Sequence, residues 1–410
     1  MNPSSEYRPI MNTRFRALCT SVVLLGSGAA ALGQASPDRV VIDAELERTL
    51  VTDVRFEPGR LVYSTAGRQV STPLDGSVVA LMEPSGIAPR PRDSWIELID
   101  GQRFVGMPVF LSTAQAEEFA LASGEVGMAW STPLLGNLRV PLDALRRVVL
   151  REAATPAEFD ELNDVLVLSN GDRTRGLLER VWPDVVLDVD GQSRSFELNE
   201  VASITLANPG EEPVGSRVWL SDGSIVAVDA LETVPDGVAI DLAAPVGTPD
   251  QTLAPLTMNE VLAVAFESGG VVPLAALGPP RWNPSASWTL PPVMGDPDRQ
   301  LLGSAAIELI GPVTASWSIP SDVRRVAIRA RLREDCQVWG DCEVTVSVGG
   351  AVAFTERLHG ESPQARFMID LPSGEAPIGV LEIRVAEGLG GSIQDRVMLD
   401  GFLLLSSDSN

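Results

Sequence analysis

Few of the side chains that usually carry out catalysis occur in this sequence of 410 residues. All 31 basic residues are arginine, and His359 is the only histidine. Without lysine there is no Schiff base and no lysine-containing phosphate loop, and a single histidine excludes a multi-histidine metal site. A Ser-His-acid arrangement would need His359 and its loop neighbour Ser362, but no G-x-S-x-G nucleophile elbow occurs. We therefore expect a protein that is not an enzyme, with His359 in a surface loop.

Carboxylates are the abundant reactive group. The chain has 55 acidic residues, a formal net charge of −24 and a pI near 4.4. This charge argues against nucleic acid as a partner, because phosphate binding needs a basic surface. Two carboxylates suffice for glycoside hydrolysis, so a glycosidase is an alternative, although no pair is marked by its spacing. No D-x-D-x-D-G loop is present; we expect no cofactor, and a structural calcium ion has no motif behind it.

One basic cluster occurs in this acidic chain, the segment from Arg324 to Arg333 with five arginines. Because side chains alternate along a strand, Arg325, Arg329 and Arg331 fall on one face together with Arg333. Salt bridges to neighbouring strands are one explanation of this stripe. Binding of an acidic glycan or a carboxylate partner is the other.

The N-terminus has the pattern of a secretory signal peptide. Positive residues precede an apolar stretch and a small-x-small cleavage site at 31–33. We expect residues 1–33 to be removed, with Met11 as the true start, and the mature protein to lie in the periplasm, in the cell envelope or outside the cell. No other segment is long and apolar enough to span a membrane.

Removal of the signal peptide also removes Cys19 and leaves an even pair, Cys336 and Cys342. In an oxidising compartment we expect this pair to form a structural disulfide bond. A redox-active pair fits less well, because the spacing is not C-x-x-C and no basic residue lies between the two cysteines.

Residues 40–270 contain an internal repeat. Three segments open with a strand that runs into a tight turn, at Asp100-Gly101, Asn170-Gly171 and Asp222-Gly223. These dipeptides predict type I′ hairpins, whose two central residues both have positive φ. Each segment closes with an apolar residue, a polar Asp or Asn and a further strand. The closings are 142–150, 198–206 and 258–266, with a fourth, partial copy at 74–82.

We therefore divide this part of the chain into a partial repeat, 40–90, and three more repeats, 91–154, 160–208 and 214–270. About five short strands in each suit a small barrel or rolled sheet. Short helices are expected at 113–123 and, from a capping-box pattern, at 156–163. Turn chemistry explains the shared Asp and Asn residues, and calcium or glycan contacts are the alternative.

Residues 271–300 are rich in proline and glycine, which predicts an extended connector. Its Trp282 and Trp288 would either pin the connector onto the next domain or be exposed for binding. The region 301–406 has eight segments with period-two alternation, which predicts a β-sandwich of jelly-roll type. These segments are 306–310, 314–319, 325–331, 343–348, 351–355, 365–370, 380–385 and 396–405. The fold class is therefore all-β, with tandem small barrels followed by a sandwich.

The strand order after residue 301 resembles the galactose-binding-like sandwich and, within it, the NPCBM family of carbohydrate-binding modules. The family has a Gly-x-His segment and an Asp-His-x-x-Trp-like ending, where this sequence has Gly311-Pro-Val and Asp395-Arg-Val. Carbohydrate binding by the sandwich is what this resemblance implies. The pieces of the sandwich that match the NPCBM family are 302–304, 311–320, 327–330, 346–354, 369–371 and 395–400.

The repeats are similar to Sm-like or SH3-like barrel repeats of exported planctomycete-type bacterial proteins. The likeness lies in the patterns V-x-L-S-[ND]-G and L-[ND]-E-V-x-x-I.

Together these features predict an exported, non-catalytic binding protein that recognises a glycan or a cell-envelope protein through the sandwich. The alternative is a structural scaffold of the cell envelope. As candidate ligand contacts we select members of the arginine stripe, one aromatic residue and two acidic residues. They are Arg325, Arg329, Arg331, Trp339, Asp395 and Asp400.

Overall fold

The described part of the chain consists of antiparallel strands joined by turns. The computed structural model describes residues 38–91, 94–109, 127–151, 156–181, 184–211, 215–247, 253–267, 270–284, 289–371, 379–391 and 394–405. Within these ranges the prediction of an all-β fold is confirmed. The short 3₁₀ turns are Leu198–Glu200, Leu274–Leu277, Pro297–Arg299, Leu301–Gly303 and Glu334–Cys336. No described segment is a helix with the length and apolar character of a membrane span.

The predicted helix at 156–163 is wrong. Its segment carries no helix, because local hydrogen bonds compete with the helical ones. The Asp160 carboxylate accepts from the backbone N–H groups of Leu162 and Asn163, the Asx-turn arrangement that Asp offers as an alternative to a helix. Ala157 is buried against a neighbouring strand and its carbonyl accepts from Thr205. The predicted helix at 113–123 and the signal peptide lie outside the described residues.

The described chain between residues 39 and 265 contains four repeats, which we call repeats I to IV and together the repeat lobe. Repeat I comprises β1 (Arg39–Asp43), β2 (Arg48–Glu57), β3 (Arg60–Thr65), β4 (Arg68–Pro73) and β5 (Val78–Met82). Repeat II comprises β6 (Trp95–Leu98), β7 (Arg103–Val105), β8 (Met107–Pro108), β9 (Gly127–Thr132), β10 (Gly136–Pro141) and β11 (Leu145–Val149). Repeat III comprises β12 (Asp164–Leu168), β13 (Arg173–Arg180), β14 (Val185–Val189), β15 (Gln192–Phe196) and β16 (Val201–Thr205). Repeat IV comprises β17 (Ser216–Leu220), β18 (Ile225–Val234), β19 (Gly237–Leu242) and β20 (Val261–Ala265).

Every repeat returns its last strand to lie beside its first. The pairs are β1–β5, β6–β11, β12–β16 and β17–β20, each antiparallel and each with a register shift at the same place. The last strands then join the repeats in pairs. Strand β5 of repeat I pairs with β20 of repeat IV, and β11 of repeat II pairs with β16 of repeat III.

The repeated turn differs from the predicted type I′ turn. In repeat II, the N–H of Gly101 donates to the carbonyl of Leu98, and Leu98 N–H donates to Gln102. Gly101 has φ +80°, whereas Asp100 is not among the residues with positive φ. The Asp100 carboxylate accepts a hydrogen bond from the backbone N–H of Gln102. This is a type I turn followed by a glycine bulge, which needs positive φ only at the glycine. The same bonds recur at Asn170-Gly171 and Asp222-Gly223.

The remaining strands, β21–β31, form two facing sheets that we call the sandwich. The front sheet has the order β23 (Val293–Met294), β24 (Ile307–Ile310), β31 (Arg396–Leu405), β26 (Val323–Leu332), β29 (Gln364–Asp370), with β21 (Val271–Pro273) also on β31. The back sheet has the order β22 (Arg281–Pro284), β25 (Val313–Ser318), β30 (Val380–Glu387), β27 (Asp341–Val348), β28 (Ala351–His359). The predicted connector thus adds β21, β22 and β23 to the sandwich sheets.

The outer face of the front sheet packs against repeats I and IV. The sandwich has its own apolar core between the two sheets, and a further buried cluster lies on the other side of the front sheet. Burial of these side chains is the main force that holds the lobes together. That second cluster consists of Ile42, Leu46, Val79, Ala80, Met82, Ala88, Trp219, Ala263, Leu301, Leu302, Ala327, Phe402 and Leu404.

Candidate functional site

The candidate ligand contacts fall in two places of the sandwich. Arg325, Arg329 and Arg331 lie on the outer face of β26, and Arg329 pairs in register with Asp400 of β31. The other two candidates, Trp339 and Asp395, lie in loops at one end of the sandwich. Of the six, Arg329 and Asp400 line one cavity. The six candidates therefore do not form one site.

The place that contains Trp339 and Asp395, which we call the loop end, consists of residues 334–341, 359–362, 387–391 and 394–396. These loops are locked together by backbone contacts. Gly388 donates to the Asp341 carbonyl, and a methyl group on Gly388 would overlap that oxygen. Gly340 lies against the carbonyls of Cys336 and Gln394, where a Cβ atom would come within 3.0 Å of the Gln394 oxygen. Glycine is needed at both positions because the backbones approach so closely.

Three apolar side chains project from this locked backbone. Val338 is 78% exposed, Trp339 71% and Leu389 87%. Apolar side chains held exposed on an ordered backbone are available for contact with a ligand or partner. The N–H of Trp339 donates to Cys336, so its backbone is held by the 3₁₀ turn Glu334–Cys336.

Beside these side chains, two carboxylates have opposite environments. Asp341 accepts from Arg357 through Nε at 2.6 Å and Nη2 at 2.7 Å, and from Gly390 N–H at 3.2 Å. The hydrogen bonds from Arg357 lower the pKa of Asp341. Asp395 is only 1% exposed, and burial raises its pKa to about 6, with the charges of Asp341 and Glu387 acting in the same direction. Its Oδ1 accepts from Asp341 N–H at 3.1 Å, while Oδ2 has no partner in the described residues.

The predicted disulfide between Cys336 and Cys342 is not formed, and both thiols are free and buried. The two thiols have different surroundings. Cys342 belongs to β27 and points into the core between the sheets, where burial raises its pKa to about 12. Cys336 ends the 3₁₀ turn and its thiol donates to Asp335 at 3.5 Å. Burial raises the pKa of Cys336 as well. The raised pKa values leave both thiols protonated and unreactive near neutral pH.

The histidine lies at the rim of the loop end. His359 ends β28 and exchanges two backbone hydrogen bonds with Ser362, so the segment 359–362 is a tight turn. Its Nδ1 accepts from Glu361 N–H at 3.4 Å. This local hydrogen bond explains the position of His359 without a catalytic role.

The second place, which we call the interlobe cleft, lies between repeat I and the front sheet. A cavity of about 350 Å³ separates residues 46–48 from the outer faces of β26, β29 and β31. Phe402, which is buried, and Ala327 belong to its wall. Arg48 lies over the Phe402 ring, 5.6 Å from its centre.

Three guanidinium groups meet two carboxylates in this cleft. Asp400 accepts from Arg48 at 3.2 Å and also from Arg329. Arg366 pairs with Glu47 at 2.7 Å and donates to the carbonyl of Leu46. Burial lowers the pKa of Arg48, and the positive charges of Arg329 and Arg366 lower it further, while Asp400 raises it. The three arginines are thus close enough to repel one another.

Two other members of the arginine stripe, Arg325 and Arg333, form salt bridges outside this cavity. Arg325 contacts Asp370 at 2.6 Å and the carbonyl of Ala44 at 2.7 Å, and it lines a neighbouring cavity of about 560 Å³. Arg333 pairs with Glu308 at 3.2 Å, and Arg331 faces Met398 in the register. These contacts give the stripe a structural role at both ends.

Sequence reasoning missed the half of the cleft that comes from repeat I. Arg48 and Glu47 follow the first turn of repeat I, and Arg366 lies on β29. Nothing in the sequence links residues so far apart, and only the packing of repeat I on the front sheet brings them together. Trp282, half-exposed on edge strand β22, pairs with Ala315, and Trp288 lies outside the described residues.

No family model and no curated protein matches the sequence. Among solved structures, the chain is similar to the CBM51 module of a Clostridium perfringens GH95 protein in complex with methyl-galactose. The identity is 12%, covering 32% of this chain and 99% of that chain, with a TM-score of 0.25. The CBM51-2 and INT domains of Clostridium perfringens ZmpB match at 10% identity over 44% of this chain and 41% of that chain, TM-score 0.27. A mannan-recognising carbohydrate-binding module, TmCBM27, matches at 15% identity over 30% and 88%, TM-score 0.21.

These structural neighbours are carbohydrate-binding modules, and the identities and TM-scores are too low to assign the chain to a family. The resemblances to NPCBM modules and to Sm-like repeats stay predictions.

Proposed function

We propose that this chain is an exported, non-catalytic protein that binds carbohydrate through the loop end of the sandwich. The observation that carries the proposal is Trp339, 71% exposed on a backbone held by Cys336 and Gly340. Tryptophan combines a flat apolar face with a polar N–H group, which suits one face of a sugar ring. The Asp341–Arg357 pair on the adjoining strands supplies hydrogen-bonding groups for hydroxyls.

Rigid presentation strengthens the proposal. The backbones of the loops are held by close contacts at Gly340 and Gly388. A site that is already ordered loses less conformational entropy on binding than a mobile one. The exposed side chains at 338, 339 and 389 would therefore contact a ligand without a folding cost.

The test is retention of the full chain on a glycan array and in affinity gels that contain neutral polysaccharides. Trp339→Ala should weaken binding by about tenfold or more, as expected for the loss of one aromatic contact. Trp282→Ala, a change of the same residue type at the half-exposed edge of the back sheet, is the matched control and should bind normally. Retention of Trp339→Ala equal to wild type, or no retention of the wild type on any glycan, would overturn the proposal.

A glycosidase would use carboxylates with opposite pKa shifts, and Asp341 and Asp395 are such a pair. A general acid must reach the leaving-group oxygen of the substrate. Asp395 is 1% exposed, so a substrate cannot contact it without opening the loop end. This geometry favours binding over hydrolysis at the loop end.

A scaffold role in the cell envelope is the second candidate. It is favoured by β15, an outer strand of repeat III whose residues are mostly exposed and which pairs with β14 alone among the described strands. Open strand edges can add a strand from another protein. A photo-crosslinker at Arg194 in intact cells should then capture one envelope protein, and a clean absence of crosslinks would eliminate this candidate.

A further inference from the structure

We propose that the interlobe cleft is a second binding site, and that its ligand is a carboxylate anion about the size of one sugar ring. The site is separate from the loop end and does not depend on the proposed function there. Its walls come from repeat I and from the front sheet, whereas the loop end lies entirely within the sandwich. The inference rests on the cavity, its charges and its apolar wall.

The charges of the cleft do not balance. Among the described residues that line the cavity, Arg48, Arg329 and Arg366 supply three positive charges, against the two negative charges of Asp400 and Glu47. Asp400 is shared by two guanidinium groups. Glu47 is more than half exposed, so its pair with Arg366 contributes little to stability. The cleft therefore has an excess of positive charge within a chain whose net charge is −24.

An anion would relieve the repulsion among the arginines. Arg48 is held near Arg329 and Arg366, and each of these positive charges disfavours the protonated form of Arg48. Arginine stays charged in proteins, so the repulsion is a standing cost in the absence of a further anion. A ligand with one negative charge would complete the balance of three positive and three negative charges.

The geometry favours a carboxylate on a small body. Guanidinium groups present planar pairs of N–H donors that match the two oxygens of a carboxylate. The volume of about 350 Å³ is at the small end of ligand pockets. Phe402 and Ala327 give an apolar wall for the body of the ligand, and the amide of Gln364 lines the same cavity.

The competing explanation is that the ion pairs only join repeat I to the sandwich. Such a structural role predicts no saturable binding and no preference for carboxylates over neutral molecules of equal size. A binding site predicts both. The two explanations therefore differ in a measurement on the intact protein.

The experiment is isothermal titration calorimetry of the full chain with sodium galacturonate and sodium glucuronate at constant ionic strength. Galactose is the uncharged counterpart. We expect saturable binding of at least one sugar acid by the wild type. In Trp339→Ala, which lacks the proposed loop-end contact, we expect no binding of galactose at the same concentrations. Arg366→Gln should weaken binding about tenfold, the effect of losing one charge-assisted contact. Arg324→Gln, on the same strand as Arg329 but outside this cavity, is the matched control and should bind as wild type.

Arg366→Lys keeps the charge and removes the planar fork, so an intermediate loss is expected if the fork binds the carboxylate. Thermal unfolding of each variant shows whether it is folded, and a folded Arg366→Gln protein with wild-type affinity would overturn the proposal. So would the failure of both sugar acids to bind, or equal binding of galactose by Trp339→Ala. Trp339→Ala should bind the sugar acids normally, which separates failure of this proposal from failure of binding at the loop end.

Discussion

The loop end and the interlobe cleft differ in how they treat charge and apolar surface. At the loop end, Trp339 and Leu389 are exposed, while the Asp341 carboxylate is matched by Arg357. In the cleft, Phe402 is buried beneath charged side chains, and arginines outnumber carboxylates. A surface of the first kind attracts neutral ligands with an apolar face, and one of the second kind attracts anions.

The two regions also differ in how they are built. All residues of the loop end come from 334–396, and tight backbone contacts position them. The cleft exists because residues 46–48 pack against β26, β29 and β31, so its geometry depends on how the lobes meet. Changes to the backbone should therefore damage the loop end, whereas changes to ion pairs should act on the cleft.

The largest effect is expected from Gly388→Ala. The new methyl group would overlap the carbonyl oxygen of Asp341, and the loop would have to move. We expect a loss of about 3 kcal/mol in the free energy of unfolding, the upper range for overpacking. Chemical denaturation measures it, and binding of sugar acids in the cleft should persist.

Gly391→Ala is the control for this substitution. Gly391 is in the same loop with φ +76°, and no atom of the described residues lies within 4 Å of its Cβ position. The change therefore costs only backbone strain, about 1 kcal/mol. Equal destabilisation by the two variants would contradict the close contact at Gly388.

A smaller effect is expected from pH, because the pKa of Asp395 is raised to about 6 in the fold. A carboxyl whose folded pKa exceeds its unfolded value favours the folded state when it is protonated. Its contribution is complete below the unfolded pKa and is lost as pH rises through 6. Between pH 5 and 7 the free energy of unfolding should fall by about 1 kcal/mol from this group.

Asp395→Asn removes the titrating group, so the difference between wild type and variant isolates it from every other group. Denaturant titrations at several pH values provide the measurement. Parallel stability profiles for the two proteins would show that Asp395 titrates normally, and the description of its buried environment would be wrong.

The smallest effect is expected at the cleft. Arg48→Met, Asp400→Asn and the double variant form a mutant cycle, and we expect a coupling energy of roughly 0.5 kcal/mol for this partly exposed pair. The exposed pair Arg90–Asp296, at 3.9 Å, is the control and should show almost no coupling. Equal coupling in both cycles would mean that the cleft holds its charges no more firmly than the open surface does.

Local patterns predicted the strands well, because apolar and polar residues alternate with period two within each segment. The eight segments predicted in the sandwich correspond to β24–β31. The turn type was wrong because Asp100-Gly101 was taken as a two-residue loop, whereas Ile99, Asp100 and Gly101 together form a three-residue loop closed by Leu98 and Gln102. The helix at 156–163 was wrong because Asp160 turns the chain, and the disulfide because Cys342 points into the core.

The candidate sites were predicted only in part, for a related reason. Trp339 and Asp395 are close in the fold because neighbouring loops meet at Gly340. Arg48 and Arg366 carry no local signal, since one follows a turn and the other lies in an ordinary strand. Their significance depends on packing between segments more than 300 residues apart.

The pairing of the repeats has a consequence for the order in which the protein can be assembled. Strands β11 and β16 belong to consecutive repeats and can join soon after both are made. Strand β5 must wait for β20, because repeats II and III lie between them in the chain. Every residue of β5 is buried in the finished fold. While repeats II and III are being made, the growing chain therefore carries an open, fully apolar strand edge, the kind of edge that invites aggregation.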